Sequence, residues 1–149
     1  MATTRDAERL AVLDIPVSQL LTNGACHLEA KLVHHALLDL PLDTVDMVIV
    51  ENVGNLVCPA EFDIGENAKI AVLSVTEGED KPLKYPLLFR ECKAVVVTKI
   101  DLLPYIPFDL DTCLANIQAV NGHVPVFTIS AVNGQGMQAW LDWIASVKN

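Results

Sequence analysis

The stretch "KAVVVTKIDLLP", residues 93–104, sets the fold class of this chain. Its first half is a continuous β-branched run without polar alternation, which is typical of a strand covered on both faces. Four other segments have a similar strand-like character. They are "IPVSQLL" (15–21), "VDMVIVEN" (45–52), "KIAVLSV" (69–75) and "VPVFTIS" (124–130).

Helical patterns lie between and around these runs. Apolar residues recur at helical spacing in residues 26–40, 109–120 and 136–148, and residues 4–13 form a charged segment that also suits a helix. Strands that alternate with helices predict right-handed crossovers and a mainly parallel sheet with helices on both faces. We therefore expect one α/β domain over residues 1–149, with ligands collected beyond the carboxyl ends of the strands.

Composition excludes several classes of protein. The net charge is −9 and the ten basic residues form no block, so nucleic acid is not an expected partner. No apolar run reaches the roughly 18 residues of a membrane span, and the first ten residues contain no apolar export segment. The expectation is a soluble cytoplasmic protein, without structural disulfides among its four scattered cysteines.

A guanine-recognition pattern follows the strand-like run at 93–99. Thr98, Lys99 and Asp101 match (N/T)KxD, in which the carboxylate accepts two hydrogen bonds from guanine and the lysine stem lies along the base. Ser130 and Ala131 end the next strand-like run, where their backbone N–H groups can meet the guanine O6. The alternative is a solvated Lys-Asp turn, but two such loops after consecutive strands favour a guanine pocket.

Two further residues have the chemistry to act beside the phosphates of a nucleotide. Glu51 and Gly54 end the run at 45–52, where the carboxylate can orient a Mg²⁺-bound water and the Gly54 N–H can approach a terminal phosphate. A strand-end glutamate followed by a turn glycine explains the same pattern. The phosphate role therefore depends on the guanine loops.

Three residues have the chemistry of a metal site. Cys26 and His27 follow one predicted strand and open a helical pattern, and Cys58 follows another. Two thiolates and an imidazole suit Zn²⁺, Ni²⁺ or copper, and a helix N-terminus would lower a thiol pKa. From spacing alone, metal binding and simple burial are about equally supported, whereas Cys92 and Cys113 are predicted to be packing residues.

The chain resembles the HypB family, the nickel-incorporation GTPases of [NiFe]-hydrogenase maturation. The similarity runs from about Thr4 to Trp143 and rests above all on "ENVGNLVCPAEFDIGE", with "TRDAER", "CHLEAKLV", "LSVTEGEDKPLKYPLLFR" and "TKIDLLP". It implies a P-loop NTPase fold of the SIMIBI GTPase class. It also implies that Cys26, His27 and Cys58 form a nickel or zinc site where two subunits meet.

The resemblance assigns roles to the other candidate residues as well. Asp6 falls in the first switch segment, Glu51 and Gly54 fall in the second, and the guanine pocket comprises Thr98, Lys99, Asp101, Ser130 and Ala131. The implied cofactors are GTP or GDP, Mg²⁺, and Ni²⁺ or Zn²⁺. The implied partners are a second copy of the chain, a HypA-type metallochaperone and the large subunit of [NiFe]-hydrogenase.

One expected motif is missing from the sequence. No GxxxxGK followed by Ser or Thr occurs in residues 1–149, and the family places this phosphate-binding loop and its strand upstream of residue 1. We therefore expect an N-terminally incomplete member of the family, with weak nucleotide affinity and no measurable GTP hydrolysis. The alternative function is a nickel- or zinc-binding module without turnover.

Overall fold

The computed structural model describes residues 9–21 and 24–147. The chain forms two compact units, Met1–Gly65 and Glu66–Asn149. Asp6 lies outside the described residues, and of the predicted N-terminal helix the described part is helical at residues 9–11. No helix in the described parts of the chain is long and apolar enough to cross a membrane.

The first unit contains short helices joined by irregular backbone. Helix α1 spans Ala30–Leu37, a 3₁₀ helix spans Leu42–Thr44, and α2 spans Cys58–Glu61. The buried side chains of Leu28 and Val33 anchor the beginning and middle of the α1 region. The helical pattern predicted for residues 26–40 therefore forms a helix only over its central part.

The strands predicted at residues 15–21 and 45–52 are wrong. Neither segment forms a strand among the described residues, and Ile15 and Ile49 are 49% and 81% exposed. β-Branched residues favour an extended backbone, but a strand also requires a neighbouring backbone to pair its N–H and C=O groups. Without that pairing, the apolar composition of these segments does not produce a sheet.

The second unit contains a three-stranded parallel sheet. Its strands are β1 (Ile70–Ser74), β2 (Ala94–Thr98) and β3 (Val126–Thr128), in the order β1-β2-β3. In the register, Ser74 pairs with Thr98 and Val97 with Thr128, so the carboxyl ends of the three strands lie at one edge. The mainly parallel α/β prediction is confirmed by this unit.

Helices precede, separate or follow the strands along the sequence of the second unit. They are α3 (Lys81–Lys84), α4 (Pro86–Glu91), a 3₁₀ helix (Ile100–Tyr105), α5 (Leu110–Val120) and α6 (Met137–Val147). The Asp109 side chain caps α5 by accepting from the Thr112 N–H at 2.9 Å, which satisfies one of the unpaired donors of the first turn. The helices predicted at 109–120 and 136–148 are confirmed.

The core of the second unit is aliphatic. The most buried side chains come from the central strand, from β1 and from the inward faces of α4 and α5; they are Leu73, Val95, Val97, Phe89 and Ile117. A strand buried on both faces explains why "AVVVT" shows no polar alternation. This core fixes β2 and β3, and therefore the two loops that follow them.

Candidate functional site

The structure brings the three predicted metal ligands together within the first unit. One donor atom each from Cys26, His27 and Cys58 lies within 4.8 Å of the others. The two sulfur atoms are 2.9 Å apart, and the Cys26 Sγ is 3.6 Å from the His27 Nδ1. Cys26 is exposed and the other two side chains are half-buried, so an ion can reach this cluster from solvent.

Asn52 joins the two loops that carry the predicted ligands. Its Oδ1 accepts hydrogen bonds from the Leu28 N–H at 3.0 Å and from the Val53 N–H at 2.8 Å. Leu28 directly follows His27, and its side chain is only 4% exposed. The polar bridge and the buried anchor therefore hold the Cys26–His27 loop beside the loop that leads to Cys58.

Phe62 fixes the plane of the histidine ring. It directly follows α2, and its ring lies against that of His27, with centroids 3.9 Å apart and an angle of 4° between the planes. One helical turn thus separates Cys58, a predicted ligand, from the aromatic side chain that stacks on His27. Sequence reasoning missed both Phe62 and Asn52, although both lie within the long motif at residues 51–66.

The structure corrects the predicted helix context of these ligands. Helix α1 begins at Ala30, after a Glu29 N-cap, so Cys26 and His27 precede the helix and do not open it. The local reason is the bridge from Asn52 to the Leu28 N–H, which holds this backbone in a loop. Cys58 does begin α2, but its thiol does not have the lowered pKa expected at a helix N-terminus.

The pKa of the Cys58 thiol is instead raised above its ordinary value. The largest cause is the hydrogen bond with Cys26, followed by burial and by the negative charges of Cys26 and Glu61. A hydrogen bond with Asn55 acts in the opposite direction. Two thiols this close repel each other once both ionise, and a divalent cation between them would remove that repulsion.

The predicted guanine loops are adjacent in the second unit. Thr98 ends β2, Lys99 has a left-handed backbone with φ 61°, and Asp101 lies in the following 3₁₀ helix. The Ile100 N–H donates to the Ile129 carbonyl at 3.2 Å, which joins this loop to the one after β3. The predicted placement of the two loops at one sheet edge is confirmed.

Asp101 has an unused hydrogen-bond acceptor in the loop after β2. Its Oδ1 is buried and accepts no hydrogen bond from any described residue. Leaving a buried polar atom unpaired costs free energy, and native proteins seldom do so without a reason. The N1–H and N2–H₂ groups of guanine are the donors that would satisfy it.

The loop after β3 differs in detail from the prediction. Ser130 is fully buried, and its N–H donates to the Gln135 carbonyl at 2.9 Å, so this amide is already used within the loop. Ala131 is exposed, and its N–H makes no hydrogen bond with the described residues. Of the two predicted amide donors, only that of Ala131 is available to a base.

Glu51 and Gly54 lie in the first unit, on exposed backbone next to Asn52. A Cβ atom added at Gly54 would meet no atom within 4 Å, so packing does not require a glycine there. The open space on this side of Gly54 leaves room for the close approach of a phosphate oxygen. Asp6, the third residue with a predicted role near the phosphates, lies outside the described residues.

The remaining cysteines are packing residues, as predicted. Cys92 and Cys113 are buried, and burial raises the pKa of each thiol to about 11. A thiol that stays protonated near neutral pH is a poor nucleophile and a poor metal ligand. Their burial also distinguishes them from Cys26, which is exposed, and from Cys58, which is half-buried.

Comparison with known proteins agrees with this arrangement. The family model of the CobW/HypB/UreG nucleotide-binding domain matches residues 1–128. A crystal structure of HypB from Helicobacter pylori in complex with nickel is 34% identical, with a TM-score of 0.93 over 99% of this chain and 70% of that chain. The chain belongs to the HypB family. A crystal structure of HypB from Archaeoglobus fulgidus is 31% identical, with a TM-score of 0.91 over 100% of this chain and 72% of that one.

Curated HypB proteins are still more similar in sequence. The hydrogenase maturation factor HypB of Escherichia coli K12 is 49% identical over 142 residues, which cover 95% of this chain and 49% of that protein. HypB of Azotobacter vinelandii is 48% identical over 95% of this chain and 47% of that protein. The chain therefore spans about half the length of the curated HypB relatives that it matches.

Proposed function

We propose that this chain is a nickel-binding, GTPase-type maturation factor that delivers nickel to [NiFe]-hydrogenase. The observation that carries the proposal is the convergence of Cys26, His27 and Cys58 within 4.8 Å. Two thiolates and one imidazole are soft and borderline donors, which suit Ni²⁺ and Zn²⁺ and do not suit Mg²⁺. The H. pylori HypB structure, which contains nickel, supports nickel as the cargo.

A three-ligand site suits a protein that must release its metal. Structural zinc sites usually have four protein ligands, so a site with three leaves a coordination position for an incoming ligand. The exposure of Cys26 gives a partner access to that position. We propose that a second copy of the chain completes the site and that a HypA-type metallochaperone exchanges metal with it.

Guanine nucleotide is the proposed control of the metal site. The unpaired Asp101 Oδ1 fits the donor edge of guanine, Lys99 fits the face of the base, and the matched family model is a nucleotide-binding domain. Glu51 would hold a water of the nucleotide's Mg²⁺, which supplies positive charge to the phosphates when bound. Gly54 would donate its N–H to a phosphate oxygen, and Asp6 would act in the first switch segment.

The proposed recipient of the nickel is the large subunit of [NiFe]-hydrogenase, in the cytoplasm. The relatives that are 49% and 48% identical to this chain over 142 residues are named hydrogenase maturation factors. A thiolate site also requires a compartment in which cysteines stay reduced. The donor set and the family support the same assignment.

A second function is a metal-binding module without GTP turnover. The observation that favours it is that Cys26, His27 and Cys58 lie together in the first unit, whereas the predicted guanine loops belong to the second. Two thiols and an imidazole can hold a metal ion without a nucleotide. Under this function, the metal site acts without a nucleotide signal.

Metal titration and a hydrolysis assay test both functions. We expect the purified chain to bind one Ni²⁺ with a thiolate-to-nickel absorption band, and the Cys26→Ala, Cys58→Ala double variant to lose it. Unchanged nickel affinity in the double variant would overturn both functions, and a Cys92→Ala variant is the matched control. Release of phosphate from GTP by the same protein selects the GTPase, and its absence selects the binding module.

A further inference from the structure

The two cysteines of the metal cluster have a second chemistry available to them. Their sulfur atoms are 2.9 Å apart although 32 positions separate them in sequence. A disulfide bond has an S–S length near 2.05 Å, so the sulfurs need to approach each other by less than about 1 Å. Both thiols are free in the structure, and neither is fully buried.

We propose that Cys26 and Cys58 form a reversible intramolecular disulfide when a low-molecular-weight disulfide such as oxidised glutathione accumulates. This makes the pair a redox modification site. The proposal rests on the distance between the sulfurs and on their exposure, and it does not require that the chain bind nickel.

The reaction consists of two thiol–disulfide exchanges. One cysteine thiolate attacks a sulfur of glutathione disulfide, which forms a mixed disulfide and releases one glutathione thiolate. The second cysteine thiolate then attacks the protein sulfur of that mixed disulfide and releases the second glutathione thiolate. The two protons lost by the cysteines pass to the two glutathiones, so the protein pair is oxidised by two electrons and glutathione disulfide is reduced.

The surroundings favour the second exchange over a lasting mixed disulfide. Asn52 holds the two loops together through the Leu28 N–H, so the resolving thiol is already beside the protein sulfur of the mixed disulfide. Exposure of Cys26 lets the first reagent approach, whereas buried Cys92 and Cys113 are shielded from it. A thiol held next to its target reacts far faster than one that arrives by diffusion.

Disulfide formation and metal binding at this pair exclude each other. A disulfide has no thiolate to offer, so both sulfur ligands of the cluster disappear in one reaction. Conversely, a metal ion bound to both sulfurs would protect them from the oxidant. This consequence, unlike the disulfide itself, rests on the proposed nickel function.

Mass spectrometry of the full chain tests the proposal. The metal-free protein is incubated in glutathione buffers of increasing oxidised fraction, and samples taken over time are quenched with acid, alkylated and digested. We expect the Cys26 and Cys58 peptides to become linked, with Cys92 and Cys113 modified at least about tenfold more slowly. Cys26→Ser and Cys58→Ser variants should instead accumulate glutathione on the remaining cysteine.

Two results would overturn the proposal. One is lasting glutathionylation of Cys26 or Cys58 in the unaltered chain without a link between them. The other is a link that joins two chains and not two positions of one chain. A nickel titration of the reduced protein tests the metal function separately. If the chain forms the disulfide but does not bind nickel, the redox proposal stands and the nickel function fails.

Discussion

The phenyl ring of Phe62 lies parallel to the imidazole ring of His27, with the centroids 3.9 Å apart and the planes 4° apart. The stacked ring restricts rotation of the imidazole, which is held with its Nδ1 3.6 Å from the Cys26 sulfur. A ligand that is already oriented loses less conformational entropy when a metal binds. Phe62 therefore acts as a positioning residue for the candidate metal site.

Removing the stacked ring should weaken nickel binding. We expect Phe62→Leu to lower the affinity for Ni²⁺ by about tenfold, because residues that orient a metal ligand typically contribute at this level. Phe62→Tyr keeps a stacking ring and should remain close to the unaltered protein. Phe108→Leu, in the other unit, is the matched control, and titration monitored by thiolate-to-nickel absorption gives the affinities. Equal nickel affinities for the leucine and tyrosine variants would contradict a positioning role for the Phe62 ring.

Asn52 offers a separate test of how the ligand loops are joined. Asn52→Ala removes the acceptor for the Leu28 and Val53 N–H groups, so we expect nickel affinity to fall by about tenfold or more. Asn52→Asp retains an oxygen at the same place and should restore most of the affinity. Asn116→Ala, which removes a side-chain hydrogen bond to the Glu79 carbonyl, controls for general destabilisation. Failure of the aspartate to restore binding would argue against the acceptor role.

The candidate metal cluster could be predicted from the sequence, but the residues that support it could not. Cys26, His27 and Cys58 belong to residue types with distinctive metal chemistry, and the resemblance to the HypB family assigned them together. Asn52 and Phe62 are ordinary residue types whose roles depend on which backbone N–H or ring lies beside them. Such contacts join positions that are distant in sequence, and residue spacing contains no record of them.

Of the strand predictions, some were likewise correct and others were not. The run at residues 94–98 became a central strand because β1 and β3 pair with it on both sides. Residues 45–52 contain a continuous apolar run at 47–50, yet Ile49 is exposed and the segment forms no strand. Apolar β-branched composition is a property of a single segment. Whether that segment forms a strand of a sheet also depends on a second segment whose backbone can pair with it.

The buried acceptor of Asp101 should set base specificity. In Asp101→Asn one oxygen acceptor becomes an N–H donor, so we expect affinity for a guanine nucleotide to fall by about tenfold to a hundredfold. A xanthine nucleotide, which has a carbonyl where guanine has its amino group, should bind the variant better than guanine does. Competition against a fluorescent guanine nucleotide measures both affinities, with exposed Asp111→Asn as the control. An unchanged preference for guanine over xanthine in Asp101→Asn would mean that Asp101 does not contact the base.

The cap of α5 should make the stability of the second unit pH-dependent. The hydrogen bond from the Thr112 N–H lowers the pKa of the Asp109 carboxyl below its ordinary value. The carboxylate therefore stabilises the folded state above the unfolded pKa, and this contribution is lost as pH falls through the folded pKa. We expect Asp109→Ala to lower the melting temperature by about 3 °C at neutral pH and by less in acid.

Asp109→Asn is the matched control for that cap. An asparagine side chain can still accept from the Thr112 N–H but does not titrate in this range. We expect its melting temperature to stay near that of the unaltered protein at neutral pH. Thermal unfolding followed by circular dichroism between neutral pH and pH 3 compares the three proteins. A constant difference between the aspartate and alanine proteins across this range would contradict a cap that depends on the carboxylate charge.

Gly136 should be required for the loop that carries Ser130 and Ala131. Its backbone has φ 72°, and a Cβ atom there would clash with the carbonyl oxygen of Thr128. Gly134 has a similar φ of 81°, but a Cβ atom added there would meet nothing within 4 Å. We expect Gly136→Ala to destabilise the protein by about 2 kcal/mol or more, and Gly134→Ala by only the backbone strain of about 1 kcal/mol. Urea unfolding of both variants checks this order, and equal losses would mean that strain alone, and not the approach to Thr128, requires a glycine at position 136.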